Sequence, residues 1–145
     1  VGFRLGFVVI QTAGDISNFF SNIWPISFFS FEDLRLFFSL VLIAISCIIM
    51  GAGIPTTATY IILVAVAAPA LAQLGIEPLV AHFFVFYYGV LADITPPVAL
   101  AAYAASGIAK SNPFKTGNTA FRLGIAKALV PFVFVYSPSL LFITG

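Results

Sequence analysis

Charge is scarce in this chain: only 8% of its 145 residues are Asp, Glu, Lys or Arg, against roughly 25% in soluble domains. Such a composition cannot furnish a solvated surface, and it is too hydrophobic for a disordered chain. The net charge of +1 leaves out the clustered basic surface that a nucleic-acid binder needs, so no nucleic-acid partner is expected. A single cysteine, Cys47, allows neither a disulfide framework nor a cysteine-based zinc site within the chain. It lies in an apolar run and is expected to pack there. Catalytic signatures are missing too: the sequence holds no His-Glu-x-x-His, no Gly-x-Ser-x-Gly and no phosphate-cradling loop ending in Lys-Ser/Thr. An enzyme is not expected.

What is present is apolar. Hydrophobic residues make up 61% of the chain and Phe alone contributes 17, with a mean hydropathy of +1.14. These values point to an all-α, polytopic membrane protein whose first partner is the lipid bilayer. The length allows about four or five membrane segments, at roughly 20 apolar residues each. The chain opens on Val1 with no signal-like segment before its body, so a piece of a larger membrane protein is expected, forming a single transmembrane unit over residues 1–145.

From Leu36 to Ile76 there is no formal charge, and this stretch interrupts itself at Gly51-Ala52-Gly53-Ile54-Pro55-Thr56-Thr57, a strong helix break. The piece from Leu36 to Met50 reaches only about 22 Å at ~1.5 Å per residue, short of the ~30 Å hydrocarbon core. Thr57 to Leu74 follows and carries Pro69, which strains or kinks a helix. Two short helices around a glycine-rich tip read as a re-entrant helical hairpin over residues 36–74, although two tilted spans joined at 51–56 give the same pattern. Irregular backbone at that depth needs cover from protein or a water-filled cavity.

A second apolar block, residues 79–108, is also interrupted, at Ala92-Asp93-Ile94-Thr95-Pro96-Pro97. Thr95 suits an N-cap and Pro96 the first position of a new helix. The expectation is a discontinuous transmembrane helix, one half ending near Leu91 and the other starting near Pro96. Residues 110–126 then form a polar linker. Lys110, Lys115, Arg122 and Lys127 follow one another without an acid, which places this side in the cytoplasm. A last helix runs over 127–143, weakened by Pro131 and Pro138. By that topology the turn at Glu77 and the Glu32-Asp33-Arg35 group lie outside. At the other end, residues 1–31 read as a helix end to about Gly14 and then an interfacial segment with Trp24 and Pro25.

Each break exposes helix ends inside the bilayer. Carbonyls at the end of a first half-helix favour a small cation, and N–H groups at the start of a second favour an anion. That pairing suits sodium-coupled uptake of a carboxylate. Gly51 and Gly53 allow close backbone approach. Thr56, Thr57 and Thr95 offer hydroxyls to a cation or a carboxylate, with ordinary helix capping as the plain alternative. Asp93 is the one acid inside an apolar block, a functional candidate by default; the alternative is a structural partner for a buried polar group. His82 is expected to pack or to lie at an interface, with ligand or proton handling as the alternative, and Tyr87, Tyr88 and Tyr103 are expected to pack with a polar handle. The four basic residues read as topology determinants; the alternative, a contact to anionic lipid, has no support in the sequence.

The segment Met50-Gly51-Ala52-Gly53-Ile54-Pro55-Thr56-Thr57-Ala58-Thr59-Tyr60-Ile61 resembles the hairpin-tip motif of the large membrane subunit of the tripartite ATP-independent periplasmic (TRAP) transporters, closest to the fused-permease branch. Tyr87 to Tyr103, with Asp93-Ile94-Thr95-Pro96-Pro97 at its centre, resembles that branch as well. So does the tail from Lys115-Thr116-Gly117 through Arg122-Leu123-Gly124 to Tyr136-Ser137-Pro138. The resemblance implies one inverted-repeat half, the second, of an elevator-type transporter in the bacterial inner (cytoplasmic) membrane. It implies import of organic acids with Na+ and delivery by a periplasmic substrate-binding protein. The remaining permease repeat and a small membrane subunit, or its fused equivalent, are implied partners.

Carried onto this sequence, the family's ion site falls on Gly51, Gly53, Thr56, Ala92, Asp93 and Thr95; the substrate site, read from the residues themselves, is expected at Pro55, Thr56, Thr57, Thr95 and Pro96. Many relatives outside the fused branch have an acid in the hairpin tip where this chain has Pro55-Thr56-Thr57, so ion ligation there differs. A channel-like or purely structural membrane subunit remains the alternative. An intramembrane enzyme using Asp93 is disfavoured, because no second catalytic acid or base is identified in an apolar block, His82 being read first as a packing residue.

Overall fold

A computed structural model describes residues 2–23 and 30–143. Helix α1 runs over Gly2–Ile23 and α2 over Phe31–Gly51. The start of α2 is fixed by a capping box: the Ser30 hydroxyl accepts from the Asp33 N–H at 3.2 Å, and the Asp33 carboxylate accepts from the Ser30 N–H at 3.3 Å. Glu32 and Asp33 in the first turn also favour the positive end of the helix dipole. After Gly51 the chain turns through Gly53, whose φ of 83° suits glycine, and Pro55 leads into α3, Thr56–Gln73.

Helix α3 continues through Pro69 and ends in a Schellman motif. The Ile76 N–H donates to the Leu71 carbonyl at 3.1 Å and the Gly75 N–H to that of Ala72 at 3.0 Å. Helix α4, Pro78–Ala92, begins with proline at its first position. A turn over residues 93–99 separates it from α5, Leu100–Ala109. Helix α6, Pro113–Gly124, passes through a 3-10 stretch, Ile125–Leu129, into α7, Val130–Tyr136. A final 3-10 turn covers Pro138–Leu141.

The core forms where α2, α3 and α4 pack together around Leu40, Cys47, Leu63, Leu71, Phe84 and Val85. Helix α1 lies across α2 and α3, and a Cβ on Gly6 would stand 2.9 Å from the Ala70 Cβ. Helix α7 covers α4, and α6 pairs with α5. There is no strand among the described residues, and α2, α3 and the continuous Pro113–Tyr136 helix are each long and apolar enough to cross a membrane. The chain is a polytopic, all-helical membrane protein.

Outside the break at residues 92–99, the structure departs from expectation in four places. Helix α1 does not end near Gly14 but runs on through Asp15 to Ile23; Trp24 and Pro25 lie outside the described residues. Helix α2 starts at Phe31 instead of Leu36, because the Ser30 cap draws the charged turn into the helix. Its 21 residues span about 31 Å at ~1.5 Å each, so shortness no longer argues for a hairpin that turns back. The stretch expected to be a linker, 110–126, holds α6, started by the Asn112 side chain accepting from the Lys115 N–H at 3.0 Å. The helix expected over 127–143 instead continues α6 and stops at Tyr136, because Pro138 keeps Ser137 out of helical geometry.

Candidate functional site

The two helix breaks meet. Gly51 closes α2 and is buried, and a Cβ there would stand 2.8 Å from the Thr59 Cγ2 and 2.9 Å from the Ala92 Cβ. Only glycine lets the tip of the α2–α3 pair lie against the end of α4. Two residues on, a Cβ on Gly53 would approach the Val98 Cγ1 to 3.3 Å. The Thr56 hydroxyl, in the first turn of α3, donates to the Asp93 carboxylate just past the end of α4. Gly51, Gly53, Thr56, Ala92 and Asp93 are therefore brought together from positions about 40 apart in the chain, which is a matter of packing and not of local sequence.

The remaining candidates are placed differently. Thr95 does not cap the second half-helix. Its hydroxyl donates backwards to the Leu91 carbonyl at 2.7 Å, and α5 starts at Leu100, four residues beyond Pro96. The cause is local: Pro96 precedes Pro97, and a residue before proline is pushed out of helical geometry. The cap position falls on Ala99, in left-handed conformation at φ 39° with no side-chain cap. Pro96 is half-buried in the turn, while Pro55 and Thr57 are exposed beside the tip.

Both breaks close on themselves more tightly than bare helix ends would. The carbonyls of Ile49 and Gly51 accept the N–H groups of Ala52 and Ile54 at 3.4 and 3.3 Å. Those of Val90, Leu91 and Ala92 accept from Asp93, Ile94 and Thr95 at 3.1 to 3.3 Å. A carbonyl has two lone pairs, so those of Ile49, Gly51, Val90 and Ala92 each keep one with which to approach a cation, whereas that of Leu91 already accepts from both the Ile94 N–H and the Thr95 hydroxyl. Together with the Asp93 carboxylate and the Thr56 hydroxyl, the donors are all oxygen. No group of three His, Cys, Asp or Glu occurs among the described residues. An oxygen-only set suits a hard cation and disfavours a transition metal. On the anion side, α3 opens at Thr56 and Thr57 with no side-chain cap, leaving its first N–H groups to other partners.

Four residues that support the site or the α3–α4 contact beside it were not singled out for it from sequence. Thr59, buried, donates its hydroxyl to the Ile54 carbonyl at 3.0 Å and fixes the tip. Tyr103 donates to the Pro97 carbonyl at 2.6 Å and so ties α5 to the turn. Tyr60 and His82 share a hydrogen bond of 2.6 Å between α3 and α4. For Thr59 a signal existed, since it follows Thr56 at one helical turn and shares its face. For Tyr103 the tight turn that brings Pro97 within reach had no local signature.

Compared with known proteins, residues 3–145 match the family model described as "Tripartite ATP-independent periplasmic transporter, DctM component". No curated protein and no solved structure matches the chain.

Proposed function

The chain belongs to the DctM component of the tripartite ATP-independent periplasmic transporters, a permease family, and from that premise we propose that its two breaks form half of a sodium-coupled site for organic acids. In this reading the Asp93 carboxylate, the Thr56 hydroxyl and carbonyls of the tip and turn hold Na+. The N-terminus of α3, with Thr56 and Thr57, and the turn at Thr95 and Pro96 receive the substrate carboxylate. A periplasmic binding protein delivers the substrate, and the other repeat and the small membrane subunit or its fused equivalent complete the permease in the bacterial inner membrane.

One observation carries the proposal: Thr56 on the tip is hydrogen-bonded to Asp93 on the turn. An acid placed at a double break within apolar helices costs stability unless it is paired or coordinates an ion. A cation there gains a full charge and nearby oxygen dipoles, and it draws tip and turn together. The hairpin is proposed to be re-entrant on a related ground. Helix α4 has 15 residues and rises about 22 Å from the Glu77 turn, less than the ~30 Å core, and the tip abuts its end at Ala92.

The test is uptake of labelled carboxylates by the complete permease in proteoliposomes with its binding protein, with and without an inward Na+ gradient. Saturable, Na+-dependent uptake that falls at least tenfold in Asp93→Asn is expected. Saturable uptake indifferent to Na+ removes the coupling, and non-saturating flux favours a channel.

A further inference from the structure

We propose that the face of α6 carrying Lys115 and Arg122 binds the phosphodiester headgroups of anionic lipids. Its place in the fold sets it apart from the break region. Gly117 and Gly124 turn inward: a Cβ on Gly117 would meet the Tyr103 ring at 2.9 Å, and one on Gly124 would run into the Ile94 side chain. Lys115 and Arg122 each stand two residues before one of these glycines, about 200° round the helix at ~100° per residue. They are seven residues apart, two turns, and share one outward stripe.

Charge argues for the occupant. Lys110, Lys115, Arg122 and Lys127 are all exposed, and no acid follows Asp93 in the sequence. Among the described residues the only ion pair joins Arg35 to Glu32 at 3.8 Å, so none of the four cations has an acidic partner there. A basic face without counter-charge among the described residues is complementary to an anionic surface.

Apolar neighbours say which kind of surface. Leu123 is 80% exposed, Phe114 60% and Ile108 88%, so the cations stand among side chains suited to acyl chains. A soluble acidic partner would leave that apolar area wet, whereas a bilayer interface takes both. Beside Lys115 an open groove of about 420 Å³, bordered by Ser111, Asn112, Thr116 and Thr119, offers the Asn112 amide to the phosphate oxygens, the three hydroxyls being engaged within the start of α6. The N–H of Lys115 is already capped by Asn112, so side-chain charge, and not the helix end, provides the attraction.

The experiment uses the complete permease in nanodiscs of equimolar phosphatidylcholine and phosphatidylglycerol, with protein-retained lipid counted by native mass spectrometry. Enrichment in phosphatidylglycerol is expected for the unmodified protein, weakening at high salt. Lys115→Gln with Arg122→Gln lowers that enrichment on the order of tenfold, whereas Lys115→Arg with Arg122→Lys retains it. Arg35→Gln, at the other end of the molecule, leaves it unchanged. Equal enrichment in the double Gln variant, or an equal fall in Arg35→Gln, overturns the proposal. Transport plays no part in the readout, so its failure is distinct from failure of the sodium-coupled reading.

Discussion

At the level of single residues, the site turns on what is absent at Gly51 and present at Thr56. Gly51→Ala puts a methyl against Thr59 and Ala92 at 2.8 and 2.9 Å, and neither neighbour is the end of a flexible chain. A cost of about 1–3 kcal/mol is expected from overpacking, seen as a lower melting temperature of the purified permease, together with reduced uptake. Gly14→Ala is its contrast: nothing lies within 4 Å of the new methyl in α1, and removing glycine from a helix stabilises by about 1 kcal/mol. The same melt should therefore move upward.

Thr56 separates packing from hydrogen bonding. Thr56→Ser keeps the hydroxyl that Asp93 accepts from and should keep most Na+-dependent uptake. Thr56→Val keeps the shape and loses the donor, leaving the half-buried carboxylate without it. Uptake in Thr56→Val should fall several-fold more than in Thr56→Ser, with the larger change in the Na+ concentration needed for half-maximal rate. Equal effects of the two variants would mean that the hydroxyl does nothing beyond filling space.

Among the helices, punctuation was legible where it is chemical and local. Gly53 and Pro55 announce the tip, and the turn at Gly75 and Pro78 is equally plain from its residues. What misled was punctuation that can serve two ends. Ser30 with Asp33 reads as polar chain until it closes a capping box that lengthens α2. Thr95-Pro96 has the form of a helix start, yet the second proline postpones the start to Leu100. Asn112-Pro113 looks like linker and is an N-cap followed by a first-position proline. The meeting of Thr56 with Asp93 had no local signal at all, because it depends on how α3 packs on α4. Asn112→Ala tests the α6 start: losing the bond to the Lys115 N–H should cost about 1 kcal/mol. Faster amide exchange confined to the first turn of α6 would report it.

For the molecule as a whole, the topology connects charge to the depth of the tip. If residues 110–127 face the cytoplasm, Ser111 should react there, and Glu77, beyond one passage of α4 and α5, should react from the periplasm. With α2 long enough to cross, the depth of the tip is the discriminating measurement between a hairpin that turns back and two ordinary spans. Single cysteines placed at Ser111, Glu77 and Ala52, on a background in which buried Cys47 is replaced by Ser, can be probed with membrane-impermeant maleimide from each side. Ser111→Cys is expected to label only from the cytoplasm and Glu77→Cys only from the periplasm. Ala52→Cys should resist labelling from the cytoplasm, because the tip is held against Ala92 and Asp93, with α5 still to run toward that side. Rapid cytoplasmic labelling of Ala52→Cys, at the rate of Ser111→Cys, would make the tip an ordinary loop and remove the need for an ion to hold the breaks together.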